Sequence, residues 1–137
     1  MLNVMLDEGA FVPERAHSTD AGLDLRAPKR YVVPTHGSVV IDTGVHIELP
    51  NNTVGMLKSK SGLNVKHGIT GEGVIDVGYT GSIRVKLYNN STEPYVFNKG
   101  DKIIQLVILP VLLSDVTVVD SLEDTERGDN GFGSTGI

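Results

Sequence analysis

Two carboxylates in this sequence sit in settings that chemistry could use. Asp24 lies in AGLDLRAP (21–28), between apolar neighbours that read as strand. Asp76 lies in the glycine-bounded stretch GEGVIDVGYTG (71–81), with Tyr79 following. Three further stretches could work with them. KSKSGL (58–63) offers Lys60, Ser61 and Gly62 at a strand-to-turn junction, and KGDKIIQLVILP (99–110) sets polar Gln105 in an apolar run. The chain ends in RGDNGFGSTGI (127–137). Separated acids, small-residue loops bearing lysine or arginine, and a terminal Gly/Ser/Thr loop suit a polyphosphate with Mg²⁺. That ion takes few protein ligands and prefers carboxylate, water and phosphate oxygens. Backbone N–H groups of Ser and Gly approach phosphate closely, and a second carboxylate can orient water for attack on phosphorus. The residues alone point to phosphoanhydride chemistry on an unspecified substrate.

Taken singly, each stretch has an ordinary reading: a solvent-facing strand Asp, a solvated Lys/Ser loop, a hairpin whose glycines serve tight turns, and a Gln bonded across a sheet edge. Other chemistries fail on spacing. His17, His36, His46 and His67 show no ligand spacing and the chain has no cysteine, which argues against a zinc site. No serine has a plausible histidine partner for a hydrolase triad. Residues 131–136 match G-x-G-x-x-G, but the strand, helix and downstream acid of a dinucleotide fold are missing.

The elements that must position these groups read as short strands. Runs at 32–33, 39–41, 45–49 and 103–109 are strand-length and rich in β-branched residues. GSIRVKLYN (81–89) alternates, with Ile83, Val85 and Leu87 on one face and Arg84 and Lys86 on the other. SDVTVVDS (114–121) is a further candidate strand, and one or two helical turns fit after Ser61. Turn residues at 34–37, 50–52, 89–91 and 98–101 separate the runs. The fold class is all-β, a sandwich or barrel-like architecture. With 137 residues, 39% of them hydrophobic, one β domain over 1–120 is expected, followed by a flexible arm over 121–137. A formal charge of −5 argues against a nucleic-acid binder. Without a secretory signal or an apolar run of membrane length, a cytoplasmic protein with no membrane association is expected.

In order and spacing, five of these stretches resemble the five motifs of the trimeric dUTPases, from Ala21 to the C-terminus: AGLDL, KSKSGL, GVIDVGYTG, GDKIIQ and RGDNGFGSTG. The resemblance implies a jelly-roll homotrimer with shared active sites that hydrolyses dUTP to dUMP and pyrophosphate with Mg²⁺. It thereby limits uracil incorporation into DNA and supplies dUMP. Asp76 matches the carboxylate that activates the attacking water, and Tyr79 the residue that excludes a 2′-hydroxyl. Gly73, Val74 and Ile75 match the hairpin whose main chain reads uracil. Asp24 matches an acid that reaches Mg²⁺ through water. Lys60, Ser61, Gly62 and Gln105 match phosphate-facing residues. In the tail, Arg127 matches the terminal-motif arginine, Phe132 the ring stacking on uracil, and Gly133, Ser134 and Thr135 the wrap around the terminal phosphates.

Lys60 departs from the family's usual arginine, keeping charge but losing the planar fork. Two alternatives accompany this reading. A dCTP deaminase of the same fold would need a general acid/base at the cytosine amino group, where Glu72 is the nearest candidate. A catalytically weak protein-binding module is the other.

Overall fold

The computed structural model describes residues 1–133, 135 and 136, and among them eleven strands and one helix. In chain order these are β1 (Asn3–Leu6), β2 (Gly22–Arg26), β3 (Tyr31–Val33), β4 (Ser38–Asp42), β5 (Val45–Glu48) and β6 (Thr53–Lys58). Helix α1 (Ser61–His67) comes next, followed by β7 (Ile69–Thr70), β8 (Glu72–Ile75), β9 (Arg84–Asn89), β10 (Tyr95–Phe97) and β11 (Lys102–Pro110). The largest sheet has the order β2-β11-β6-β8, and a second runs β4-β9-β7. Two antiparallel pairs, β1-β5 and β10-β3, complete an all-β jelly roll without closing a barrel.

The cause of the fold is visible in β9, which alternates exposed and buried residues along its whole length, as its sequence predicts. Val85 and Leu87 enter one core with Leu25, Ile41, Val45, Leu57, Ile75, Phe97, Ile104 and Leu106, so every sheet contributes to a single cluster. Asn89 is buried with them, and its amide is fully employed. Nδ2 donates to the carbonyls of Val33 (3.1 Å) and Glu93 (2.8 Å), and Oδ1 accepts from Ser91. A buried amide satisfied on both ends costs little and fixes the loop after β9.

The expected helical turns form over seven residues and stop at Gly68, whose φ of 66° no β-branched residue would adopt readily. The strand predicted at 114–121 does not form. Its β-branched residues lack a partner strand among the described residues, and Val116 and Val118 stand exposed. β11 ends at Pro110, and the described residues beyond it carry no strand or helix. No helix among the described residues is long and apolar enough to cross a membrane.

Candidate active site

Strand register brings four of the singled-out stretches together. Asp24 of β2 pairs with Gln105 of β11, Gln105 with Lys58 of β6, and Lys58 with Glu72 of β8. Directly opposed residues share a face, so these four side chains form one polar rung across the largest sheet. The adjacent rung, Leu23-Leu106-Leu57-Gly73, faces the core. The polar rung therefore lies on the sheet's other face.

Asp24 is only 5% exposed and holds two cations. Lys60 Nζ donates to Oδ1, and Lys102 Nζ lies 3.1 Å from Oδ2. Burial is the largest influence on this carboxyl and pushes its pKa up. Hydrogen bonds and charge from the two lysines together outweigh it and hold the pKa below the usual carboxylate value. Sequence reasoning missed Lys102, because a register irregularity between Lys102 and Ile104 decides where it points. Gln105 Nε2 donates to the Ser59 carbonyl (3.0 Å), and Ser59 Oγ exchanges hydrogen bonds with the Gly71 backbone. These contacts fix the turn that presents Lys60 and leads into α1. Ser61 and Gly62 open the helix and are exposed; its first intrahelical bond comes from the Asn64 N–H to the Lys60 carbonyl (3.0 Å). Glu72 is engaged by Lys58 at both carboxylate oxygens, 2.9 and 3.0 Å.

The second cluster lies at the sheet edge. Gly73, Val74, Ile75, Asp76 and Tyr79 line a cleft of about 250 Å³, joined by Leu57, Ile83 and Arg84, which sequence reasoning did not assign. β8 has a partner on one side only, β6, so its other edge presents unpaired backbone N–H and C=O groups. Asp76 begins a turn closed by the Tyr79 N–H on the Asp76 carbonyl (3.1 Å), with Gly78 at φ 94° in the position that demands a positive angle. Tyr79 Oη donates to the Ser82 carbonyl (2.9 Å), and a Cβ on Gly81 would lie 2.6 Å from that same oxygen. A side chain at 81 would thus displace the ring. Asp76 is exposed and makes no salt bridge among the described residues.

The arm forms a third group. Arg127 Nε donates to the Asn130 carbonyl (2.9 Å), and Arg127, Gly131, Phe132, Gly133 and Thr135 line a hollow of their own. Phe132 is fully exposed, and no described residue of the arm lines the cleft at β8. Ser134 lies outside the described residues.

Residues 8–136 match the dUTPase family model. The chain belongs to the dUTPase family. It is 44% identical over 133 residues to the deoxyuridine 5′-triphosphate nucleotidohydrolase of Paramecium bursaria Chlorella virus 1, covering 96% of this chain and 94% of that one. The enzyme of the same name from Gloeothece citriformis is also 44% identical, over 96% and 93% of the two chains. Among solved structures, a Staphylococcus bacteriophage 80alpha dUTPase with dUpNHpp superposes with a TM-score of 0.92 at 30% identity, over 100% of this chain and 99% of that one. A phage phi11 dUTPase described with a structural Mg(II) ion gives 0.84 at 31% identity, over 90% and 99%. The reaction of this dUTPase-family chain is accordingly dUTP hydrolysis.

Proposed function

We propose that the three groups are parts of one site that no single chain completes. The observation that carries this reading is the sheet's two faces: the polar rung around Asp24 lies on one, and Leu57, Gly73 and Ile75 of the base cleft lie on the other. A nucleotide spanning base pocket and phosphate site thus draws them from neighbouring copies in a homotrimer. The exposed apolar residues Leu112, Leu113, Val116 and Val118, which have strand composition without a strand, fit burial against such a neighbour.

In this reading uracil lies along the free edge of β8, hydrogen-bonded to the backbone at Gly73, Val74 and Ile75. Tyr79 stands where a ribose 2′-hydroxyl would project, so UTP is rejected by contact rather than by charge. Asp76 takes a proton from water placed in line with the α-phosphate, which yields dUMP and pyrophosphate. Lys60, Ser61, Gly62 and Gln105 hold the triphosphate. A Cβ at Gly62 would meet nothing within 4 Å in this chain, so the space there is open to a ligand. Arg127, Phe132, Gly133, Ser134 and Thr135 close over the bound nucleotide from the arm and exclude water.

The residues fit Mg²⁺ in one manner. Both Asp24 oxygens already hold lysines, and no cluster of three or more metal-ligating side chains occurs among the described residues. That donor set suits an ion carried mainly by phosphate oxygens and water, linked to Asp24 through a water. When bound, Mg²⁺ would supply charge neutralisation on the triphosphate. We place the activity in the cytoplasm, where it limits dUTP available to DNA synthesis. The deaminase alternative is disfavoured by Glu72, whose carboxylate is occupied by Lys58.

Two experiments test this. Incubation with Mg²⁺ and dUTP, dCTP, dTTP or UTP should release pyrophosphate from dUTP alone, and ammonia from dCTP would install the deaminase. Co-refolding Asp76→Asn chains with Asp24→Asn chains should recover part of the activity that each lacks alone. No recovery would mean that both carboxylates of a site come from one chain.

A further inference from the structure

His46 of β5 makes two contacts that a neutral imidazole cannot make together. Its Nδ1 lies 2.7 Å from the Thr80 carbonyl and its Nε2 lies 3.0 Å from Asp7 Oδ1. Both partners are acceptors only, since a carbonyl never donates and an ionised carboxylate does not. Two donors are therefore required, and only the imidazolium has them.

Thr80 directly follows Tyr79 and lies in the loop between Asp76 and β9. The far end of that loop is tied down repeatedly: Ser82 Oγ accepts from the Gly44 N–H (3.1 Å), and Ile83 exchanges backbone bonds with Thr43 and Val45. Between the turn at Asp76 and Ser82, the contact from His46 is the tie to the body through Thr80. Its own anchor is firm, because the Asp7 N–H donates to the Gly44 carbonyl (2.9 Å) just before β5.

We infer that His46, as an imidazolium, is a positioning residue for the loop carrying Asp76 and Tyr79, acting through the Thr80 carbonyl. The inference rests on the roles given above to those two residues. The charges around the ring agree with it. Asp7 faces it from the segment after β1, and Asp42 of β4, whose carboxylate lies 3.8 Å from Arg84 of β9, adds negative charge nearby. Glu48, two residues along β5, accepts from Asn3 Nδ2 (3.1 Å). The Thr80 carbonyl and then Asp7 raise the His46 pKa above the ordinary imidazole value, partial burial opposes them, and Asp42 adds to the rise. As pH climbs through that raised pKa, the one remaining ring N–H stays with the charged and stronger acceptor, Asp7, and the Thr80 carbonyl comes to face a lone pair. The loop then loses a tie where the 2′-position of the sugar is judged, so discrimination against UTP weakens while dUTP binding through the β8 backbone persists.

The experiment follows the His46 ring and the Tyr79, Thr80 and Gly81 amides by NMR across neutral pH, and measures kcat/KM for dUTP and UTP over the same range. The amides should shift with the ring's midpoint, and the dUTP/UTP preference should fall about three- to tenfold, the size of one lost hydrogen bond. His46→Gln should show the low preference at every pH, while His46→Arg, charged throughout, should keep the high preference without titrating. Silent amides beside a titrating ring overturn the inference, as does a His46→Gln chain that is folded by circular dichroism and keeps the wild-type pH profile. Amides that follow the ring while the preference stays flat would uphold the tie at Thr80 and remove Tyr79 from sugar discrimination.

Discussion

Asp24 and Asp76 are both carboxylates beside short glycine-containing motifs, yet the fold treats them oppositely. Asp24 is buried, paired with two lysines and fixed within strand β2. Asp76 is exposed on a turn at a sheet edge and forms no salt bridge among the described residues. A carboxylate whose charge is already compensated can organise its surroundings but is a poor base. An uncommitted one at a cleft can take a water and its proton. The contrast fits the proposed division of roles, with electrostatic organisation at Asp24 and proton transfer at Asp76.

Substitutions that exchange these traits test the contrast. The largest effect is expected from Asp76→Asn, which preserves shape but removes the proposed base. Turnover should fall about 10²–10⁴-fold while dUpNHpp still binds by calorimetry, and near-normal turnover would transfer the role elsewhere. Ending the chain after Glu126 removes the third group without touching either acid. It should leave the melting temperature unchanged and abolish most activity, whereas undiminished kcat would make the arm a passive end.

Asp24→Asn should act first on stability. It leaves two lysines facing a neutral amide at a buried position, a loss of roughly 1–3 kcal/mol in urea denaturation. The pH dependence has a definite sign. Because the folded pKa of Asp24 is lowered, its contribution is complete above the unfolded value near 3.9 and is lost as pH falls through the folded value. The variant should therefore lose part of the acid sensitivity. Asp42 contributes a further part, held low by the Ser82 hydroxyl and, against some burial, by the Gly44 N–H, Arg84 and His46. An identical acid limb in both proteins would contradict the ion pairs. The smallest change is expected for Lys60→Arg, which restores a planar fork toward phosphate. Activity should be equal or a few-fold higher, and a collapse would mean that the cluster around Asp24 is shaped for lysine.

How much was legible in the sequence divides along the same line. Local patterns carried far: the alternation at 83–87 gives β9, the seven residues after Lys60 form the expected turns, and turn residues at 98–101 close on Gly100 with φ 89°. Asp76 and Tyr79 could be singled out because their surroundings are one contiguous stretch, the end of β8 and the turn after it. The cluster at Asp24 could not be, since Lys102 reaches it through a register shift between strands distant in sequence. The segment at 114–121 misled for the opposite reason. Strand propensity describes the residue, whereas a strand requires a neighbour, and the described residues supply none there.

The unpaired edge of β8 has a consequence for how such a protein drifts over time. Where a pocket is drawn by side chains, one codon change can redraw it. In the proposed site the groups offered to the base are amides and carbonyls, common to nearly every residue, and Val74 turns its side chain to solvent. Mutations along this strand can alter solubility or neighbours while the recognition pattern survives, so resistance to an inhibitor that imitates uracil would have to arise in the turn or the arm instead.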